Sequence, residues 1–110
     1  MTMKEQAYRA HAALQTAGIT SLKRSHAHEL LAASLGYASH AAFQHDATWC
    51  NTPCSVAGIQ PSADCIRKRC VDLGLTADEA ARAAHAVIEF QLEQGYAAVS
   101  FDALISAVDL

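Results

Sequence analysis

The stretch that decides the fold runs from Ser21 to Phe43 and reads SLKRSHAHELLAASLGYASHAAF. Leucines and alanines recur in it at helical spacing up to Gly36, a residue type that readily adopts the left-handed conformation ending a helix. Ser25 and Ser39 are suitable N-caps, because a serine hydroxyl can accept a hydrogen bond from a free amide of the first turn. The stretch therefore predicts a helix, a short turn and a second helix.

Alanine dominates the composition and indicates the fold class. Hydrophobic residues make up 52% of the 110 residues, whereas aromatic residues make up only 6%. Alanine has the best helix propensity of all residues. We therefore predict an all-α fold of one domain over residues 1–110, a compact bundle of about five to six short helices. A minimal two-strand contact is predicted between Ile19-Thr20 and Ala98-Val99.

Further helix signals flank the central stretch. Residues 2–17 carry an apolar stripe before Gly18, and Ser62 caps a helix that ends before Gly74. Thr76 and Glu79 have the spacing of a capping box, which opens a helix reaching about residue 94. Ser100 caps a last helix. The long helix has one solvated stripe, consisting of Asp78, Arg82, His85, Glu89 and Glu93.

Residues 46–61, with the sequence DATWCNTPCSVAGIQP, are predicted to be irregular. They hold both prolines of the chain and its single tryptophan. A connection of this length is long for a compact domain, and such segments are often functional. No sharp change of composition marks an interdomain linker, so the segment is assigned to the same domain.

Two resemblances rest on the central pattern. Leu31, Ala32, Leu35 and Gly36 resemble the first helix and turn of a helix-turn-helix. The same region is also similar to a helical module of bacterial proteins of unknown function, and a similar module precedes the catalytic region in some proteins labelled glyoxalase-superfamily. The residues that carry this second resemblance are Leu22–Ser25, Glu29–Ala32 and Leu35-Gly36-Tyr37-Ala38-Ser39. The resemblance implies a helical module and transfers no catalytic residue, since the glyoxalase fold is a metal-binding β-sheet.

The absence of catalytic motifs favours a non-enzymatic function. The chain contains no P-loop, no G-x-S-x-G and no G-x-G-x-x-G sequence, and it shows no pair of carboxylates in an apolar setting. We therefore expect a protein-interaction or accessory module that binds a protein partner or a second copy of itself. The expected contact surface comprises Tyr37, His40, Phe43, Gln44 and Trp49.

A helix-turn-helix DNA-binding regulator is the first alternative. Its contacts would be Lys23, Arg24, His40 and Gln44. The formal net charge is −3, and no lysine or arginine lies between Ser25 and Ile66. Because DNA affinity comes largely from phosphate neutralisation by lysine and arginine, the charge argues against nucleic acid without removing this alternative.

A small structural zinc domain is the second alternative. Cys50, Cys54, Cys65 and Cys70 have the spacing C-x3-C-x10-C-x4-C, and four thiolates suit tetrahedral zinc. The spacing differs from a zinc knuckle, which places two residues between paired cysteines. Cysteine also serves as a small apolar core residue, so the default expectation is no cofactor.

The histidines and the cellular location complete the expectations. None of the six histidines has another at the i,i+4 spacing that places two imidazoles on one metal. Solvated positions near helix starts account for most of them. No apolar run resembles a signal peptide or reaches the ~20 residues needed to span a bilayer, so a cytoplasmic location without membrane contact is expected.

Overall fold

Three glycines end helices in this protein, as the sequence predicts. Their φ angles are +87° at Gly18, +86° at Gly36 and +97° at Gly74. This left-handed region is strained for residues with a Cβ atom, whereas glycine adopts it readily. The three helix ends are therefore fixed by local chemistry.

A computed structural model describes residues 3–51, 59–94 and 96–108. Six helices and two strands follow one another in these residues, which confirms a mostly helical fold with a minimal strand contact. None of the described helices is both long and apolar enough to cross a membrane. The elements are α1 (Met3–Thr16), α2 (Arg24–Ser34), α3 (His40–Asp46), β1 (Ala47–Asn51), α4 (Ala63–Asp72), α5 (Ala77–Gln94), β2 (Tyr96–Ser100) and α6 (Phe101–Val108).

Four of the helices surround the main core. In the order α1, α2, α4, α5, each helix packs against the next, and α5 packs against α1. Helix α5 turns Ala80, Ala83, Val87 and Phe90 inward, as its apolar periodicity predicts. Small side chains in the core allow the helices to approach closely. The fully buried alanines of this core are Ala7, Ala10, Ala27 and Ala83.

Four of the predicted N-terminal caps of helices form as expected, namely those at Ser39, Ser62, Ser100 and the pair Thr76 and Glu79. The Ser39 hydroxyl accepts a hydrogen bond from the Ala42 amide at 3.1 Å. Thr76 and Glu79 form the reciprocal capping box, with distances of 3.0 and 3.2 Å between amide and side-chain oxygen. These bonds satisfy amides that have no partner inside the helix.

The predicted cap at Ser25 is wrong. Helix α2 begins at Arg24, and its N-cap is Lys23, two residues before Ser25. The Lys23 amide donates to Nδ1 of His26 at 3.0 Å, so an imidazole takes the part that a glutamate plays in a capping box. Ser25 lies inside the first turn and is exposed.

The strand contact exists, but its predicted partner is wrong. Strand β2 contains Ala98 and Val99, which pair antiparallel with Trp49 and Thr48 of β1. Ile19 is instead a fully buried core residue. Its amide donates to the Leu14 carbonyl at 2.9 Å, so its backbone completes the end of α1 and does not enter a sheet.

Part of the segment 46–61 forms regular structure, whereas the sequence predicts an irregular segment. Asp46 ends α3, and residues 47–51 form β1. Ile59 bridges to Ala98, whose carbonyl accepts its amide at 2.7 Å. Alternation in A-T-W-C-N is typical of a strand, but the nearby prolines obscured it. The remaining residues of the segment, 52–58, lie outside the described residues.

A second core lies beside the four-helix bundle and joins α2, α3 and the sheet. Its buried members are Ala32, Leu35, Phe43, Ala47 and Ala98. Tyr37, Trp49 and Ile59 pack against it and are partly buried. Helix α3 and the two strands are therefore anchored to the bundle through the far end of α2.

Candidate protein-interaction surface

An apolar groove lies between α1 and α5 and is here called the α1–α5 groove. It encloses about 610 Å³. Ala13, Ala17, Ala81 and Ala86 line it together with the edge of the Phe90 ring. Because these alanines are small and apolar, the backbone of another chain can approach the groove closely. The groove is therefore suited to bind a helix.

Charged side chains of α5 border the α1–α5 groove. Arg82 and His85 lie in the first half of the helix, whereas Glu89 and Glu93 lie in the second half. All four are exposed, which confirms the predicted solvated stripe. Nε2 of His85 lies 3.4 Å from Oε1 of Glu89. The border thus changes from basic to acidic along the helix.

Contacts at both ends hold α1 against α5. Nη1 of Arg82 donates to the Ala17 carbonyl at 3.4 Å, at the C-terminal end of α1. Near the other end, Nη1 of Arg9 donates to Oε1 of Gln94 at 3.4 Å. The two helices therefore run antiparallel, and the buried stripe of α5 sets the groove width through its packing on α1.

A second cluster joins α2 to α3 through two histidines. The rings of His28 and His40 lie with centroids 4.5 Å apart. Nδ1 of His28 and Nε2 of His40 are buried without a hydrogen-bond partner among the described residues. Burial, followed by the charge of His40, holds the pKa of His28 below its usual value of 6.5, and Glu29 partly opposes this shift.

An arginine of α4 fixes the turn between α2 and α3. Nη1 of Arg69 lies 3.1 Å from Oε2 of Glu29, and Nη2 donates to the Ala38 carbonyl at 2.6 Å. The His40 amide lies 3.5 Å from the other carboxylate oxygen of Glu29. Arg67 and Lys68 of the same helix are exposed, and Arg67 forms an ion pair with Asp64.

The aromatic residues expected at the contact surface form a packed group. The Phe43 side chain is buried, with 2% of its surface exposed, so its ring is not part of the surface in this structure. Tyr37 and Trp49 flank it with ring centroids 5.6 Å from its own. The Tyr37 hydroxyl donates to Asp46 at 2.7 Å, and burial together with this bond raises the pKa of Tyr37 to about 12.

The expected DNA contacts are spread over two helices. Lys23 and Arg24 are exposed at the start of α2, and the Arg24 guanidinium lies 5.3 Å from the centre of the Tyr8 ring. His40 is half-buried against His28, which leaves Gln44 as the exposed member on α3. DNA binding through these residues stays a prediction.

The described cysteines behave as core residues. Cys70 is fully buried, and this burial raises the pKa of its thiol to about 11. Cys65, also a free thiol, is half-buried. Cys54 lies outside the described residues, as does the side chain of Cys50. Within the described part of the chain, no group of three or more metal-ligating residue types could hold an ion. The four-cysteine zinc hypothesis stays a prediction.

No protein-family model, curated protein sequence or solved structure matches the chain. The resemblance of residues 22–39 to a bacterial helical module therefore stays a prediction.

Sequence reasoning missed both the groove and the histidine pair. His28 and His40 were compared only with histidines on the same helix, but Gly36 reverses the chain between them. A glycine turn between two helices can bring residues of the two helices together. The sequence pattern of helix, Gly36 and helix was therefore a signal for contact between His28 and His40. The groove had no comparable signal, because it depends on which neighbour α5 packs against.

Proposed function

We propose that this protein is a non-enzymatic protein-interaction module that binds an α-helix of a partner in the α1–α5 groove. The observation that carries the proposal is the combination of an alanine floor with a charged border on one exposed face. The alanines provide apolar contact with a bound helix, and the charged side chains fix the direction in which that helix binds.

The shape of the α1–α5 groove supports a helical occupant. It lies between two antiparallel helices, so a third helix laid along it would complete a three-helix contact. Ala81 and Ala86 leave space where larger residues would close the groove. The remaining contact residues expected from the sequence are Tyr37, His40, Gln44 and Trp49, which lie at the α3 end and would serve as a separate, smaller contact.

Site-specific photocrosslinking in cells tests the proposal. A benzoylphenylalanine placed at Ala81 is expected to capture a protein, and peptide mapping is expected to locate the adduct on an amphipathic helix of that protein. Val71 is the control, since it is also an exposed apolar residue on a helix but lies on α4, which does not line the groove. Equal capture at both positions, or none at Ala81, would contradict the proposal.

A second variant separates binding from folding. Ala86→Arg places a long charged side chain on the groove floor, where Ala86 is half-buried. We expect it to abolish the Ala81 adduct while far-UV circular dichroism remains that of the parent chain. An undiminished adduct in a folded variant would place the partner elsewhere.

A further inference from the structure

We propose that the helix bound in the α1–α5 groove is α5 of a second copy of this chain, packed antiparallel about a two-fold axis. This inference rests on the proposed function and names its partner. It is carried by the charge order of α5, whose exposed face is complementary to its own reversed copy. In such an arrangement each α5 would also lie against α1 of the other chain, which is the isologous contact of a two-fold dimer.

The charge order of α5 is self-complementary in one register. With the axis level with Val87, His85 comes opposite Glu89 of the second copy. Arg82 comes within one residue of Glu93 of the second copy, or about 1.5 Å along the helix axis. Each contact occurs twice by symmetry, so the two basic residues of each helix meet the two glutamates of the other.

The remaining acidic residue of the stripe selects this register. In this register Asp78 lies about three residues along the helix axis past Glu93 of the second copy. The two carboxylates therefore do not face each other directly. Sliding the helices until Asp78 and Glu93 are level would oppose two carboxylates and separate His85 from Glu89. A parallel arrangement would place each charge opposite its own copy.

Apolar and small residues on the same face support close packing. Leu92 is 72% exposed, the highest fraction among the large apolar side chains of the described residues. It follows Glu89 by three positions and so shares its face of the helix. In the proposed register Leu92 lies within one residue of Ala81 of the second copy, where the small side chain leaves room for it.

The dimensions of the face suit a weak dimer. The 18 residues of α5 span about 27 Å, and the adjoining α1 widens the face to roughly 20 Å. Two such faces together cover on the order of 1,000 Å², the lower end of the range for specific interfaces. We therefore expect micromolar, salt-sensitive association.

A charge-swap experiment tests both the partner and the register. Arg82→Glu would place a new carboxylate opposite Glu93 of the second copy, and Glu93→Lys would place a lysine opposite Arg82. Analytical ultracentrifugation is expected to show each variant dissociating at least tenfold more readily than the parent chain. An equimolar mixture of the two variants is expected to form a heterodimer within about threefold of the parent affinity. One of its two contacts between positions 82 and 93 keeps the original arginine and glutamate, and the other has the two charges exchanged.

A charge change outside the proposed interface serves as the control for self-association. Lys68→Glu makes the same charge change as Arg82→Glu, at an exposed position of α4. It is expected to leave self-association unchanged. A monomeric parent chain at about 100 µM would overturn this inference. A dimer in which the mixture shows no rescue would overturn it too. If the Ala81 photocrosslink then captures a different protein, the proposed function stands without the second copy, and absence of any capture removes both.

Discussion

The imidazole rings of His28 on α2 and His40 on α3 lie with their centroids 4.5 Å apart and their planes inclined by 47°. The pKa of His28 is held below 6.5 by burial first and by His40 second, with Arg24 contributing in the same direction and Glu29 opposing. Arg69 of α4 faces the same cluster through its ion pair with Glu29. Protonation of His28 is therefore unfavourable where it contacts His40.

Stability is expected to fall in mildly acidic solution. A lowered pKa means that the unfolded chain binds a proton before the folded chain does, so the free energy of unfolding decreases as the pH falls through 6.5. The decrease continues until the pH reaches the lowered pKa of folded His28. His28→Gln is expected to flatten this dependence between about pH 7.5 and 5 in urea titrations.

His85→Gln is the matched control for that experiment. His85 lies on the exposed side of α5 with 74% of its side chain accessible, so its replacement is expected to leave the His28-dependent slope in place. Identical pH profiles for the parent chain and His28→Gln would show that the histidine contact does not govern the acid response.

Two arginines two residues apart on α4 are expected to differ in their effect on stability. Arg69→Ala removes bonds to Glu29 and to the Ala38 carbonyl, where the two ionic side chains are only 25% and 34% exposed. We expect the free energy of unfolding to fall by about 1–2 kcal/mol. Arg67→Ala breaks only an exposed pair with Asp64 and is expected to change it by less than about 0.5 kcal/mol. Chemical denaturation of both variants checks this order, and equal losses would contradict it.

The corrected start of α2 leads to a comparison of two serines. Ser39→Ala removes the hydroxyl that accepts the Ala42 amide and is expected to cost about 1 kcal/mol. Ser25→Ala is expected to cost nearly nothing, because Lys23 is the N-cap and alanine suits the first turn. Thermal denaturation of the two variants measures the difference. A larger loss for Ser25→Ala would show that α2 begins where the sequence alone placed it.

Chelation is expected to leave the fold unchanged. Cys70 is fully buried in the main core, where a cysteine serves as a small apolar residue. The helical circular dichroism signal and the melting midpoint should therefore be the same with and without EDTA. Cys70 should also alkylate far more slowly in the native chain than in guanidinium. Loss of helicity on chelation would instead support the four-cysteine zinc hypothesis.

The helices of this protein follow from its sequence because their signals are local. Gly18, Gly36 and Gly74 end helices through backbone conformation alone, and Thr76 with Glu79 begins one through bonds that span three residues. The alternation of buried and solvated positions on α5 also needs no knowledge of its neighbours. These features depend on residues within one or two turns of each other, so the chain determines them directly.

Only the tertiary structure decided which distant residues meet. The sequence predicts that Ile19 pairs with Ala98-Val99, but Ile19 completes the core at the end of α1, and β1 pairs with β2 instead. The pairing of Arg69 with Glu29 joins residues forty positions apart. Such contacts depend on how whole helices pack, and the free energy of that packing is summed over the entire core. The sequence by itself therefore determined the helix ends at the three glycines and the start of α5, whereas the packing of the bundle created the groove, the histidine pair and the strand pairing.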